Sequence, residues 1–363
     1  MKFISNKSVI ALAALAASGA TFAQAVLAPS VTLYGSIEMA LEANSDGTTN
    51  RTSLQNFSSN FGIKGNRQFS GDLSGVFQLE TGVAPDDTAN SKTLANRNSF
   101  VGLKSNTLGS LIIGTHDMPL KELKGTTKIM LGQGEAMETI IHGRGTSQSV
   151  GSAILGQVHT RKTNLLLYTS PKFSNMVAKF GYSPDKVSPA ATATVPAYSQ
   201  PMIGASLEYN DGLWNAGLAF QSQDNVIKPT LLASGQALQA SKATLGAQMG
   251  DWKAGLAFST IDNNAGKKTS NWMISSAYSI GAIVLKANYG SASESASGAA
   301  DAATMAGAEV DYALDKATLL FVGYSKITNS KNAKASYTQS DVFPSIALGK
   351  SPSALNVGIQ YKF

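Results

Sequence analysis

Ala354-Leu355-Asn356-Val357-Gly358-Ile359-Gln360-Tyr361-Lys362-Phe363 alternates without a break. Leu355, Val357, Ile359, Tyr361 and Phe363 share one face of an extended chain, and Asn356, Gly358, Gln360 and Lys362 take the other. A period of two is the mark of a strand with one apolar and one wet face. Three stretches upstream repeat it. Trp214, Ala216, Leu218 and Phe220 oppose Asn215, Gly217 and Gln221. Trp252, Ala254, Leu256 and Phe258 oppose Lys253, Gly255 and Ser259, and Ile283, Leu285, Ala287 and Tyr289 oppose Lys286 and Asn288. A soluble sandwich alternates in the same way, so the connections carry the decision.

From Val31 onward the pattern predicts sixteen strands, the first near Val31–Ala43, the ninth near Leu213–Gln221, the tenth near Ala243–Met249 and the last at Ala354–Phe363. Short turns, such as Gly71, Asn210-Asp211-Gly212, Gly250-Asp251 and Leu314-Asp315, separate alternate strand pairs, and every other connection is long. The longest early one runs from Asp117 to Thr160. Strict alternation of short and long links predicts hairpins that turn on opposite sides of a membrane. An even strand count lets strand sixteen pair with strand one and removes the free edges that lipid does not tolerate. The expected fold is therefore all-β, a sixteen-stranded antiparallel transmembrane β-barrel with short periplasmic turns and long external loops. Sixteen strands enclose an aqueous lumen, whereas eight would fill with side chains. Aromatic residues near strand ends (Tyr34, Phe57, Phe100, Tyr168, Trp214, Trp252, Trp272, Tyr289, Phe363) are expected to form interfacial girdles.

Composition agrees with that reading. Of 363 residues only 14% are charged, low for a soluble surface. The formal net charge of +6 comes from scattered Lys and Arg, which argues against a nucleic-acid face. Cysteine is absent, excluding disulfides and thiolate sites. Lys2 and Lys7, the apolar stretch Val9–Ala17 and small residues up to Ala25 read as an export signal in residues 1–25, cleaved after Ala23 or Ala25, with the barrel in 26–363. That apolar stretch is far short of the roughly 20 residues of a spanning helix.

Several stretches resemble the Gram-negative general porin family, the trimeric sixteen-stranded type and especially its β-proteobacterial branch. They are Val31-Thr32-Leu33-Tyr34-Gly35, Asn60-Phe61-Gly62-Ile63-Lys64-Gly65, Phe77-Gln78-Leu79-Glu80, Asn96-Arg97-Asn98-Ser99-Phe100-Val101-Gly102-Leu103, Asn164 to Pro171 and the closing Val357 to Phe363. Each is weak alone; their order and spacing span nearly the whole chain after the signal.

The resemblance implies a homotrimer in the outer membrane of a Gram-negative bacterium, among lipid and lipopolysaccharide, and passive diffusion of small hydrophilic solutes and ions without a cofactor. It implies a third loop, here about 117–160, folded into the lumen, where acidic loop residues face basic wall residues. Asp117, Glu122, Glu135 and Glu138 are the loop acids. Parity and the resemblance together nominate Lys64, Arg97 and Arg161 as pore-lining cations. Phe363 corresponds to the terminal aromatic through which the family's barrel assembly machinery recognises its clients.

Two departures stand out. Asn60 takes the place of a usual arginine, and the loop also carries Lys121, Lys124, Lys128 and Arg144, which leaves the sign of selectivity open. The alternatives are a channel specific for small organic anions through Arg97 and Arg161, and a structural or adhesive barrel plugged by its loop. His116, His142 and His159 all fall in or beside the loop, at separations matching no local metal spacing, and read as a polar loop in water. Neither a metal site nor an enzyme is expected. His116-Asp117 lacks an accompanying serine motif, and in Gly349-Lys350-Ser351 Pro344 occupies the first glycine position of a phosphate loop.

Overall fold

The computed structural model describes residues 30–86, 93–143, 158, 160–184, 199–227, 236–337, 343 and 345–363. The expected export signal, Arg144 and His159 lie outside the described residues. Within them no helix is long and apolar enough to cross a membrane.

The chain forms one closed antiparallel sheet. Its strands are β1 (Ser30–Ser45), β2 (in two segments, Asn50–Asn56 and Asn60–Ser70), β3 (Leu73–Gly82), β4 (Ser99–Ser105), β5 (Gly109–Asp117), β6 (Arg161–Thr169), β7 (Met176–Ser183) and β8 (Met202–Asn210). They continue as β9 (Trp214–Ile227), β10 (Gln236–Met249), β11 (Trp252–Asp262), β12 (Lys268–Ile280), β13 (Ile283–Ala292), β14 (Ala303–Ala313), β15 (Thr318–Asn329) and β16 (Ser353–Lys362). Both segments of β2 pair with β1, one opposite Met39–Ser45 and the other opposite Ser30–Ser36, so they are one strand interrupted at Phe57–Ser59. There Ser58 adopts φ 59° and Phe57 swings inward against Ala40 and Phe321. Sixteen strands thus close the barrel, as the alternation predicts.

Closure is by β1 and β16, paired from Ser36 with Lys362 to Ser45 with Ser353. Gly35 and Phe363 extend the seam, each N–H donating to the other's carbonyl at 2.9 and 3.1 Å. β9 and β10 run further than expected because the polar Ser222-Gln223, which lack a lipid-facing pattern, continue the ladder to Gln239 and Leu238.

The burial pattern inverts that of a soluble protein. On β16, Asn356 and Gln360 are buried while Leu355, Val357, Ile359 and Tyr361 are about half exposed. On β1, Glu38, Glu42 and Asn44 are buried while Leu33 and Leu41 face outward. A continuous apolar exterior of this extent is stable only against lipid. Trp214, Trp252, Trp272, Tyr289, Tyr168 and Phe363 point outward, in keeping with girdles. Tyr34, Phe57 and Phe100 do not: Tyr34 bonds to Glu80, Phe57 is buried and Phe100 packs on an inner cluster, because their parity is that of the lumen.

The short turns hold themselves. At Gly281 the backbone takes φ 58°, which only glycine adopts freely, and no neighbouring atom crowds the turn within 4 Å of where a Cβ would stand. Asp211 accepts from the Leu213 and Trp214 N–H groups, and Asp72 reaches across to Ser105 and Thr107 of the neighbouring turn.

Candidate conduction pathway

After Asp117 the chain leaves the wall and crosses the lumen. A single helical turn α1 (Pro119–Glu122) starts the loop, a 3-10 turn at Gly132–Gly134 forms its tip, and a π turn at Met137–Ile141 returns it. Apolar side chains on the loop find apolar lumenal positions on the wall. Leu120 and Leu123 pack with Ala219, Leu238, Ala240 and Ile261. Met137, Ile140 and Ile141 are fully buried against Ala257, Met273, Met305 and Ile327. The small and flexible residues on β9–β16 therefore make a seat, and the loop fills that half of the lumen.

Carboxylates of the wall hold the loop tip. Leu131 N–H donates to both oxygens of Glu309 at 3.1 and 2.9 Å, and Gly132 N–H donates to Glu38 at 3.0 Å. Gln360 Nε2 donates to the other Glu38 oxygen at 2.7 Å, and Lys286 pairs with Glu309 and Asp311. Glu38, Glu42, Glu309 and Asp311 are all buried under the loop and present little charge to water.

The expected cations stand on the other half. Arg97 Nε lies 2.5 Å from Glu80, whose second oxygen accepts from Tyr34 at 2.9 Å. Arg161 Nε is 3.0 Å from Asp117 and 2.7 Å from Asn98 Oδ1. In both pairs the guanidinium is the more exposed partner, 27% against 13% and 20% against 15%. Lys64 is exposed, with Nζ 5.0 Å over the Tyr34 ring, and enters no ion pair with the described residues.

The loop acids fall into two groups. Asp117 also pairs with Lys121 at 2.8 Å, and Glu122 with Lys179 at 3.3 Å, so these two meet basic partners at the loop root. Glu135 and Glu138 instead share Lys128 of the same loop, at 2.8 and 3.8 Å. Burial, with repulsion from Glu138, pushes the Glu135 carboxyl up to about 7 against the pull of Lys128. Burial pulls Lys128 down, but Glu135 and Glu138 outweigh it and hold the ammonium above its ordinary value.

The two described histidines, His116 and His142, have separate surroundings. His116 tilts against Phe100, with ring centroids 5.5 Å apart, and lies 3.8 Å from Glu122. His142 is fully buried behind the loop, between Glu138 at 3.8 Å and Lys242 Nζ at 2.7 Å. Far from lying in water, it belongs to the loop seat. Glu38, Lys286, Glu309 and Asp311, which hold the loop tip, Lys179 and Glu208, paired at 3.0 Å beside Glu122, and Glu80, the partner of Arg97, complete the site, and the sequence alone does not single them out. A usable signal is present at Glu309 and Asp311, which alternate with the outward Val310 and Tyr312.

A family model described as Gram-negative porin matches residues 9–332. Outer membrane porin protein 32 of Delftia acidovorans is 29% identical over 248 residues, which are 67% of this chain and 65% of that protein. The chain thus matches just under two thirds of that relative's length. Among solved structures, an anion-selective porin from Comamonas acidovorans superposes with TM-score 0.75 at 22% identity, over 93% of this chain and all of the other. The trimer form of in-vitro folded OmpT from Vibrio cholerae gives 0.67 at 14% identity, over 93% and 100%. OmpF of Salmonella typhi in complex with daunomycin gives 0.66 at 15% identity, over 92% and 97%. At these identities the structural likenesses speak for the fold.

Proposed function

The chain belongs to the Gram-negative porin family, and from that premise we propose that it is a trimeric outer-membrane channel for passive diffusion of small hydrophilic solutes, with a preference for anions. The observation that carries the preference is the unequal exposure of the two signs of charge. The acids of β1 and β14 are buried beneath the loop, while Lys64 is exposed and Arg97 and Arg161 are each more exposed than the carboxylate they pair with, which supports reading these three as the cations of the remaining passage. Charges lining a narrow aqueous path with low-dielectric walls act on a passing ion far more strongly than the same charges in bulk water. Ion pairs such as Arg97–Glu80 partly cancel, so the preference is a bias and not a filter.

The Comamonas neighbour is described as anion-selective, in the same sense. The Vibrio neighbour is described in a trimer form, which supports three barrels per assembly. Lipid and lipopolysaccharide meet the apolar exterior, and the assembly machinery reads the closing strand at Phe363.

The deciding measurement is the reversal potential of the purified protein in a planar bilayer under a KCl gradient. An anion-preferring sign is expected. A cation-preferring sign would overturn the charge reading, and a well-folded protein that passes no current would make it a plugged barrel.

A further inference from the structure

We propose that the short-turn half of the lumen holds a binding site for small carboxylates with an apolar body, of the size of an aromatic acid; this rests on the channel reading above. A cavity of about 790 Å³ runs along β1–β7 from the loop root to the short turns. Two kinds of surface line it. One is cationic: Lys64, Lys104 and Lys172 border the cavity, all three exposed and none in an ion pair with the described residues. Glu122 is the only carboxylate among the described residues that line it, and Lys179 holds it at 3.3 Å.

The second surface is apolar, although its residues occupy lumenal positions. Val76, Phe100, Ile112 and Leu167 lie on β3, β4, β5 and β6, each at the inward parity. Part of this patch has a structural use, since Ile112 and Leu167 pack with the fully buried Met118 at the loop root. Val76 and Phe100 lie at the edge of that cluster, are only partly buried and also face the cavity. Phe100 tilts against His116 and forms the side of a slot.

An inorganic anion gains nothing from such a face. A ring or branched chain that covers it removes apolar surface from water on both sides, while its carboxylate reaches the lysines. The volume is that of an ordinary small-molecule site, with an apolar lining and few charged groups that fix orientation. A neutral ring meets the patch but not the charge, and acetate the charge but not the patch. Only the combination satisfies both.

The test uses the full protein in planar bilayers with KCl, adding benzoate, acetate or benzyl alcohol to both sides. Benzoate is expected to reduce the current saturably at concentrations where acetate and benzyl alcohol have no effect. Phe100→Ser and, separately, the nearly isosteric Val76→Thr should raise the half-blocking concentration, by about tenfold for the ring. Lys64→Gln combined with Lys104→Gln should raise it as well. Each value is taken relative to the variant's own KCl current. Equal action of benzoate and acetate would reduce the site to a general field and overturn the proposal. So would a conducting channel indifferent to benzoate, or unchanged block in both apolar variants. Absence of any KCl current would instead bring down the channel reading and this site with it.

Discussion

Replacing both Glu38 and Glu309 by alanine removes the two carboxylates that accept the N–H groups of Leu131 and Gly132. A hydrogen bond to a charged acceptor contributes about 1.5–3 kcal/mol, so the tip loses about 3–6 kcal/mol of docking. Met137, Ile140 and Ile141 stay fully buried in their seat, at about 1.5–3 kcal/mol each. Their sum, about 5–9 kcal/mol, exceeds the loss. The tip around Leu131–Glu135 should therefore come free while the π turn stays seated. Single-channel recording should show a modest rise in mean conductance with a clear rise in open-channel noise. Glu38→Gln with Glu309→Gln, which keeps an uncharged acceptor at each place, should fall between the parent and the alanine pair. Folded double-alanine protein with the parent's conductance and noise would refute the docking role. A jump to the conductance of a barrel with residues 120–141 deleted would mean that the apolar seat has been overvalued.

Arg97→Ala together with Arg161→Ala should shift the reversal potential toward cations by more than Lys64→Gln does. The arginine changes also unmask Glu80 and Asp117, and equal shifts would contradict the pairing. Glu135 has its carboxyl raised above the ordinary 4.5 to about 7, so the docked loop holds a proton that a released loop gives up. Docking is then strongest at and below about pH 4.5 and weakens as pH rises toward 7. Open-channel noise should increase over that window and Glu135→Gln should flatten it; a noise that falls instead reverses the sign and sinks the assignment. Deleting Phe363 removes both of its hydrogen bonds to Gly35 and should lower the yield of folded, heat-resistant oligomer in the membrane while leaving the conductance of the assembled fraction unchanged. A normal yield would deny the closing residue any part in assembly.

The barrel was legible because lipid and water enforce a period of two on every strand, and Leu355 to Phe363 show it as plainly in the sequence as in the exposed face of β16. Parity also turns Lys64 inward, but it does not place Arg97, which precedes β4 and is held by Glu80, while Phe100, expected opposite it, is the residue that faces inward. What parity does not carry is who meets whom across the lumen. Alternation turns Glu309 inward, but Glu38 and Glu309 are far apart in sequence and meet through the loop tip, so nothing local pairs them as its anchors. Ser222 and Gln223, past the expected end of the ninth strand, read as loop, yet hydrogen bonds along the ladder keep them in β9 beyond the apolar band. His142 reads as a solvated loop residue. Its burial follows from the apolar seat beneath Ile140 and Ile141, which exists only once β9–β16 have curved into place.

The seam between β1 and β16 also governs the order of events during folding. Glu38 and Gln360, bonded inside the barrel, are separated by 322 positions. Neighbouring hairpins can zip locally, but this last pairing must close a loop of nearly the whole chain, the slowest kind of contact to make. Until it forms, the sheet is an open ribbon with two unpaired margins, each a template for joining another copy. The interval before that final zip is thus the period in which the nascent protein is most exposed to mispairing, and a chaperone that shields β1 would protect it better than one that shields any interior strand.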